Sequence, residues 1–177
     1  MNWTELLTSE IEETYRATEG LMRRVDDAQL DWKPSDGENW MSMGQLLEHC
    51  TTACGFCMRG LVTGDWGMPE GQASEDMAEE DMLPPAEKMP GAESAAQTIE
   101  KLAADKQVAL ASLAEAGEQR MANDPCPAPW DPSPMLLGQR LLGMVGHLTH
   151  HKAQLFYYLK AQGVDVSTPD LYGMADG

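Results

Sequence analysis

The sequence predicts an all-α fold, a four-helix bundle with one long crossover connection. Four segments repeat their apolar residues at three- and four-residue steps, which is the period of a helix with one buried face. No segment shows a convincing two-residue alternation. The long interruptions are rich in Pro and Gly and fall at 67–91 and 123–134. A chain of 177 residues with 42% hydrophobic content and five Trp can bury a core without disulfides. The whole of 1–177 reads as a single domain without internal repeats.

The first helix is expected from about Trp3 to Val25. Leu6, Leu7, Ile11, Tyr15, Ala17, Leu21, Met22 and Val25 form one face, and Glu5, Glu10, Glu12 and Glu13 lie off it. The early acids and the late Arg23 and Arg24 suit the helix dipole. Pro34 prevents helix across the turn-rich stretch 30–37. A second helix starts after Ser42, with Gln45 completing a capping box, and runs as one piece to Gly60–Gly64. The connection 67–91 carries Glu70, Glu75, Asp76, Glu79, Glu80, Asp81 and Glu87 and reads as a surface loop with a short helix near Ser74–Met82. A third helix opens at Ser94 with Gln97 and closes at Gly117. The last runs from about Met135 to Gln162, with Pro134 in its first turn and Gly163 as its stop.

Twelve Lys and Arg against 29 Asp and Glu leave a net charge of −17. That charge repels phosphate backbones and anionic bilayers, so neither nucleic acid nor membrane is an expected partner. The chain has no apolar run near the roughly 18 residues of a membrane span, and no basic stretch leads into an apolar one at its start. Cys50, Cys54 and Cys57 crowd within eight residues and make a poor disulfide framework, so a reducing cytoplasm is the expected location.

Three of the four His fall at 147, 150 and 151. His147 and His151 lie one turn apart, roughly 40° around a helix axis, with Gln154 and Tyr158 on the same stripe. Such a pair can reach one ion, although two His on a helix are more often plain surface or core residues. His49 shifts that balance. It lies among Leu46, Leu47, Cys50 and Ala53 on the face expected to be buried, and a buried imidazole needs a hydrogen bond or a metal. If the bundle sets His49 opposite His147 and His151, three imidazoles converge on a single divalent ion and leave a position open, as catalytic sites do. Metal affinity is then expected to fall as pH drops through roughly 6.5.

The other candidates read more plainly. Cys50, Cys54 and Cys57 could form a sulfur site, but their spacing favours small hydrophobes at a helix contact, with a reactive Cys50 thiol as the alternative. Glu48 is expected to be solvated rather than a general base, and Tyr158 to be a buried hydroxyl satisfied elsewhere rather than a proton donor. Gln154 suits a hydrogen bond to a ligand imidazole. Trp32 and Trp40 are expected over the bundle end, with pocket lining as the alternative. The thirteen Met are expected to fill core.

The segment from Val145 to Gly163, with its His147, His151, Gln154-Leu155 and Tyr158-Leu159, resembles the signature of the DinB-like superfamily. So do Trp32-Lys33-Pro34, the helix from Ser42 to His49, and the ending Pro169-Asp170-Leu171-Tyr172-Gly173. Lys152 and Ala153 stand where that signature usually has Arg-Gly, and residues 65–134 carry no matching motif. The resemblance implies a bundle that is often a homodimer, holding a divalent metal on His49, His147 and His151, with His150 left out. It also implies a metal-dependent transferase or isomerase that uses a low-molecular-weight thiol such as bacillithiol or mycothiol. The function expected is activation of a thiol or water for transfer to, or hydrolysis of, a small electrophilic substrate. Nickel or zinc is the expected metal, with iron or manganese next. A non-catalytic metal- or ligand-binding stress protein and a metal-free interaction bundle are the alternatives.

Overall fold

A computed structural model describes residues 2–67 and 84–174. The described residues form helices and two isolated antiparallel bridges, with no named strand, in agreement with the expected class. Most of the crossover, including the short helix expected near Ser74–Met82, lies outside them.

Helix α1 spans Trp3–Met22. Its N-terminus is closed by a capping box, in which Asn2 Oδ1 accepts from the Glu5 amide at 2.8 Å and Glu5 Oε2 accepts from the Asn2 amide at 3.3 Å. It ends before Val25, and a 3-10 turn, Asp27–Gln29, follows. Ser42 and Gln45 cap α2, which spans Met43–Cys50. Gln45 Nε2 also donates to the carbonyls of Ala86 and Met89, both at 2.8 Å, tying the far end of the crossover to this helix.

The second rod is not one helix. It stops at Cys50, turns through Thr51–Cys54, and resumes as α3, Gly55–Thr63. The cause is a carboxylate from a distant helix. Asp105 belongs to α4, Ala95–Asn123, and its Oδ2 and Oδ1 accept from the amides of Gly55 and Phe56, each at 2.8 Å. It thus satisfies two of the amides a new helix start leaves open, a task no side chain of α3's own N-cap, Cys54, performs. Tyr15 from α1 donates its hydroxyl to the same Asp105 Oδ2 at 2.6 Å. The backbones meet so closely that a Cβ on Gly55 would stand 2.0 Å from the Asp105 carbonyl oxygen, so the junction requires glycine.

Two further boundaries differ from expectation. Gly117 does break the third rod, with φ of +66°, yet helical turns resume beyond it to Asn123. The last helix, α5, spans Leu137–Ala161 and begins after Pro134 rather than on it. Residues 125 and 136 pair in an antiparallel bridge, which keeps 134–136 extended. Arg140, only 6% exposed, pins this loop through Asp131 Oδ2 at 2.7 Å and the carbonyls of Cys126, Asp131 and Ser133. Gly163, at φ of +78°, follows the end of α5, and a final turn, α6, spans Thr168–Leu171.

The core is apolar and drawn from all four rods: Leu7 and Ile11, Leu46 and Leu47, Met58, Leu102 and Ala109, Leu141, Leu148 and Leu155. Each fully buried Leu contributes roughly 1.5–3 kcal/mol relative to exposure. Met22, Met43, Met58 and Met121 are fully buried filler, as expected for some of the thirteen.

Candidate metal centre

Three histidines meet between α2 and α5. His49 occupies the last turn of α2, and His147 and His151 lie one turn apart in the middle of α5. A ligand atom from each ring falls within 4.8 Å of the other two. The Nε2 atoms of His49 and His147 are 3.2 Å apart, and the ring centroids are 4.4 to 5.2 Å apart, with the rings set edge to face. All three side chains are half-buried. His150 faces solvent and is not in the cluster, as the spacing required.

The outer nitrogens of two rings are held by the fold. His147 Nδ1 lies 3.1 Å from the Ala53 carbonyl oxygen, which can only accept, so the proton is on Nδ1 and Nε2 carries a lone pair. Ala53 lies in the break between α2 and α3, outside both helices, and so its carbonyl is free to turn to α5. For His151 the tautomer is set through a chain of three bonds. Tyr158 donates its hydroxyl to the Met41 carbonyl at 3.1 Å and therefore accepts from Gln154 Nε2 at 3.1 Å. That turns Gln154 Oε1 toward His151, where it accepts from Nδ1 at 3.1 Å. The Nε2 of His151 is left as a lone pair facing the cluster.

Burial also keeps the rings neutral. Desolvation, with the neighbouring His151 and His147 adding to it, lowers the His49 pKa to about 4. Desolvation and His147 lower that of His151 to about 4, with the Gln154 bond opposing. Desolvation lowers His147 as well, against the Ala53 bond. The fall in metal affinity expected near pH 6.5 therefore moves well into acid, because the folded protein resists protonating these rings.

The donor set fits a divalent transition ion. Bonds of about 2.0–2.1 Å to one tetrahedral zinc put two nitrogens about 3.3 Å apart, close to the His49–His147 spacing. Neutral imidazoles suit Zn, Ni, Fe and Cu, whereas Mg and Ca want oxygen, and no carboxylate joins the cluster among the described residues. Three donors are one fewer than a closed tetrahedral site takes.

The cysteines and Tyr158 settle on the plain side, whereas Trp32 and Trp40 take the alternative and line a cleft. Burial pushes the Cys50, Cys54 and Cys57 thiols up to about 12, so none is a thiolate at neutral pH, and Cys50 is fully buried. Glu48 is paired with Lys101 at 2.7 Å instead of standing free in solvent. Tyr158 is 4% exposed, and its hydroxyl is satisfied while it holds Gln154. Trp32 and Trp40 set their rings 5.2 and 6.3 Å from that of Tyr158. Sequence reasoning took Tyr15 and Ala53 only as apolar-face residues and did not single out Asp105. The signal for the helix break was Gly55 following Thr51 and Thr52, all poor helix formers.

Taken as a class, this is a helical bundle with a three-histidine group that could hold a metal ion. The profile of the DinB superfamily matches residues 10–155, and the chain belongs to that superfamily. Among solved structures it is similar to a protein from Exiguobacterium sibiricum described as a prospective DinB family member, with a TM-score of 0.63 and 18% identity over 96% of this chain and 98% of that one. At that identity the likeness shows the fold. No curated protein matches the sequence.

Proposed function

We propose that this protein is a metal-dependent enzyme that activates a low-molecular-weight thiol, or water, toward a small electrophilic substrate. The observation that carries the reading is the convergence of three neutral imidazoles, two of them with tautomers fixed so that Nε2 faces the others. A divalent ion, nickel or zinc by our reading, supplies Lewis acidity that brings the pKa of a thiol or water toward neutrality. His49, His147 and His151 would hold it; the Ala53 carbonyl and Gln154 keep two of those rings turned inward. Burial keeps the imidazoles unprotonated at neutral pH. In the transfer, the thiol sulfur bonds to the electrophilic carbon, and the leaving group departs with the thiol proton. Water in place of the thiol gives hydrolysis.

The test is metal analysis of untagged protein followed by turnover with thiol and a small electrophile, in wild type and His147→Ala. Stoichiometric metal with thiol-dependent turnover, both lost in the variant, is expected. Metal without turnover leaves a binding protein, and absence of metal uptake ends the reading. Superfamily membership supports a homodimer, which light scattering on the purified protein tests. Among the described residues no helix is long and apolar enough to cross a membrane.

A further inference from the structure

A concavity lies between the C-terminal end of α5 and the segment 32–40, and Gln154 both lines it and bonds to His151. It measures about 690 Å³ and is walled by Trp32, Trp40, Tyr157 and Tyr158, with Lys33, Asp36 and Gln154 among the polar groups lining it. That size falls within the range of small-molecule sites, roughly 300–1,000 Å³. Three of its walls pack on one another. The Trp32 ring stands at 78° and the Trp40 ring at 65° to that of Tyr158, both in edge-to-face contact with the phenol. Trp40 Nε1 donates to the Asp36 carbonyl at 2.7 Å, a fold-back that relies on Gly37 at φ of +95°, since a Cβ there would meet that nitrogen at 3.0 Å. Asn39 Oδ1 accepts from the Ala86 amide at 2.8 Å and anchors the same turn. Tyr158 is held by Met41 and Gln154, as described above.

We propose that this cleft is a binding site for an uncharged, planar, conjugated small molecule. Aromatic walls in edge contact with one another give such a ring faces and edges to pack on. Gln154 Nε2 spends one hydrogen on Tyr158 and has a second for an acceptor at the ligand's edge. The charge of the lining argues for neutrality. Lys33 opposes a cation, while Asp36 and the chain's net charge of −17 oppose an anion. An occupant would lie one side chain from His151, because Gln154 both lines the cleft and accepts from that ring.

Calorimetric titration with naphthol, naphthoate and naphthyltrimethylammonium tests the site, with the same ring carrying no charge, a negative one and a positive one. Saturable single-site binding of naphthol, tighter than either charged analogue, is expected. Trp40→Ala and Tyr157→Ala should each weaken it by about fivefold or more, and Tyr157→Ala, at a residue 66% exposed, should do so with no change in melting temperature. Trp130→Ala removes an exposed indole that packs on Trp66 instead and should leave binding unchanged. Non-saturable binding, equal binding to both cleft variants, equal losses in the Trp130 control, or preference for a charged analogue would each overturn the proposal. The titration runs on chelator-treated protein, so it succeeds or fails independently of the three-histidine reading.

Discussion

The Nε2 atoms of His49 and His147 face each other across 3.2 Å although 98 residues separate them in the chain. His147 spends its proton on the Ala53 carbonyl, so the nitrogen it turns to His49 is a bare lone pair. Two lone pairs at that distance repel, and one proton from His49 or one cation between them relieves the repulsion. Competition between proton and cation underlies what the site is expected to do.

Loss of the central ligand should abolish metal binding. His147→Ala is expected to reduce bound metal toward zero in elemental analysis, while His150→Ala, whose ring faces solvent, keeps it. With metal at 100-fold over its Kd, wild type gains about 2.7 kcal/mol of stability that His147→Ala lacks. Equal losses in both variants would reject the ligand assignment.

Gln154→Leu keeps all three ligands but removes the acceptor that fixes His151. Metal affinity should weaken by roughly 10–100-fold, the usual effect of removing a group that orients a ligand. Competition with a chelator measures it. Tyr158→Phe, which touches the relay one bond further away, should weaken affinity less.

Acid should act later than an ordinary imidazole would allow. Metal affinity is expected to stay level as pH falls through 6.5 and to drop on approach to about 4, where His49 and His151 take up protons in the folded protein. The metal-stripped protein should behave differently. Its folded rings titrate below their unfolded value, so the unfolded chain binds more protons between about 6.5 and 4, and stability declines through that window before levelling. Melting curves across that range check the sign; a rise in stability on acidification would contradict it.

Asp105→Ala should be costly for a residue outside the metal cluster. It strips the Phe56 amide and the buried Tyr15 hydroxyl of their acceptor, each worth about 1–3 kcal/mol if left unsatisfied, and leaves the Gly55 amide only the longer bond to Tyr15. The turn that aims the Ala53 carbonyl at His147 is then unsupported, so metal affinity should fall along with melting temperature. A variant destabilised but binding metal normally would separate the helix break from the site.

Local rules carried the sequence reading far. Helical periodicity located the rods, and Ser42 with Gln45 and Ser94 with Gln97 marked two helix starts where the structure has them. One-turn spacing selected His147 and His151 and excluded His150, and burial of the α2 face brought in His49. These features depend on neighbours within a turn or two, so the order of residues was enough to determine them. The break after Cys50 depends instead on a carboxylate 50 residues away from Gly55 and on a tyrosine 40 residues away, and nothing local encodes their arrival. Only the packed bundle brings Asp105 to that backbone, frees the Ala53 carbonyl and thereby decides which nitrogen of His147 faces the other rings. The three histidines were thus written in the chain, while their protonation and aim come from contacts that exist only once the helices are packed.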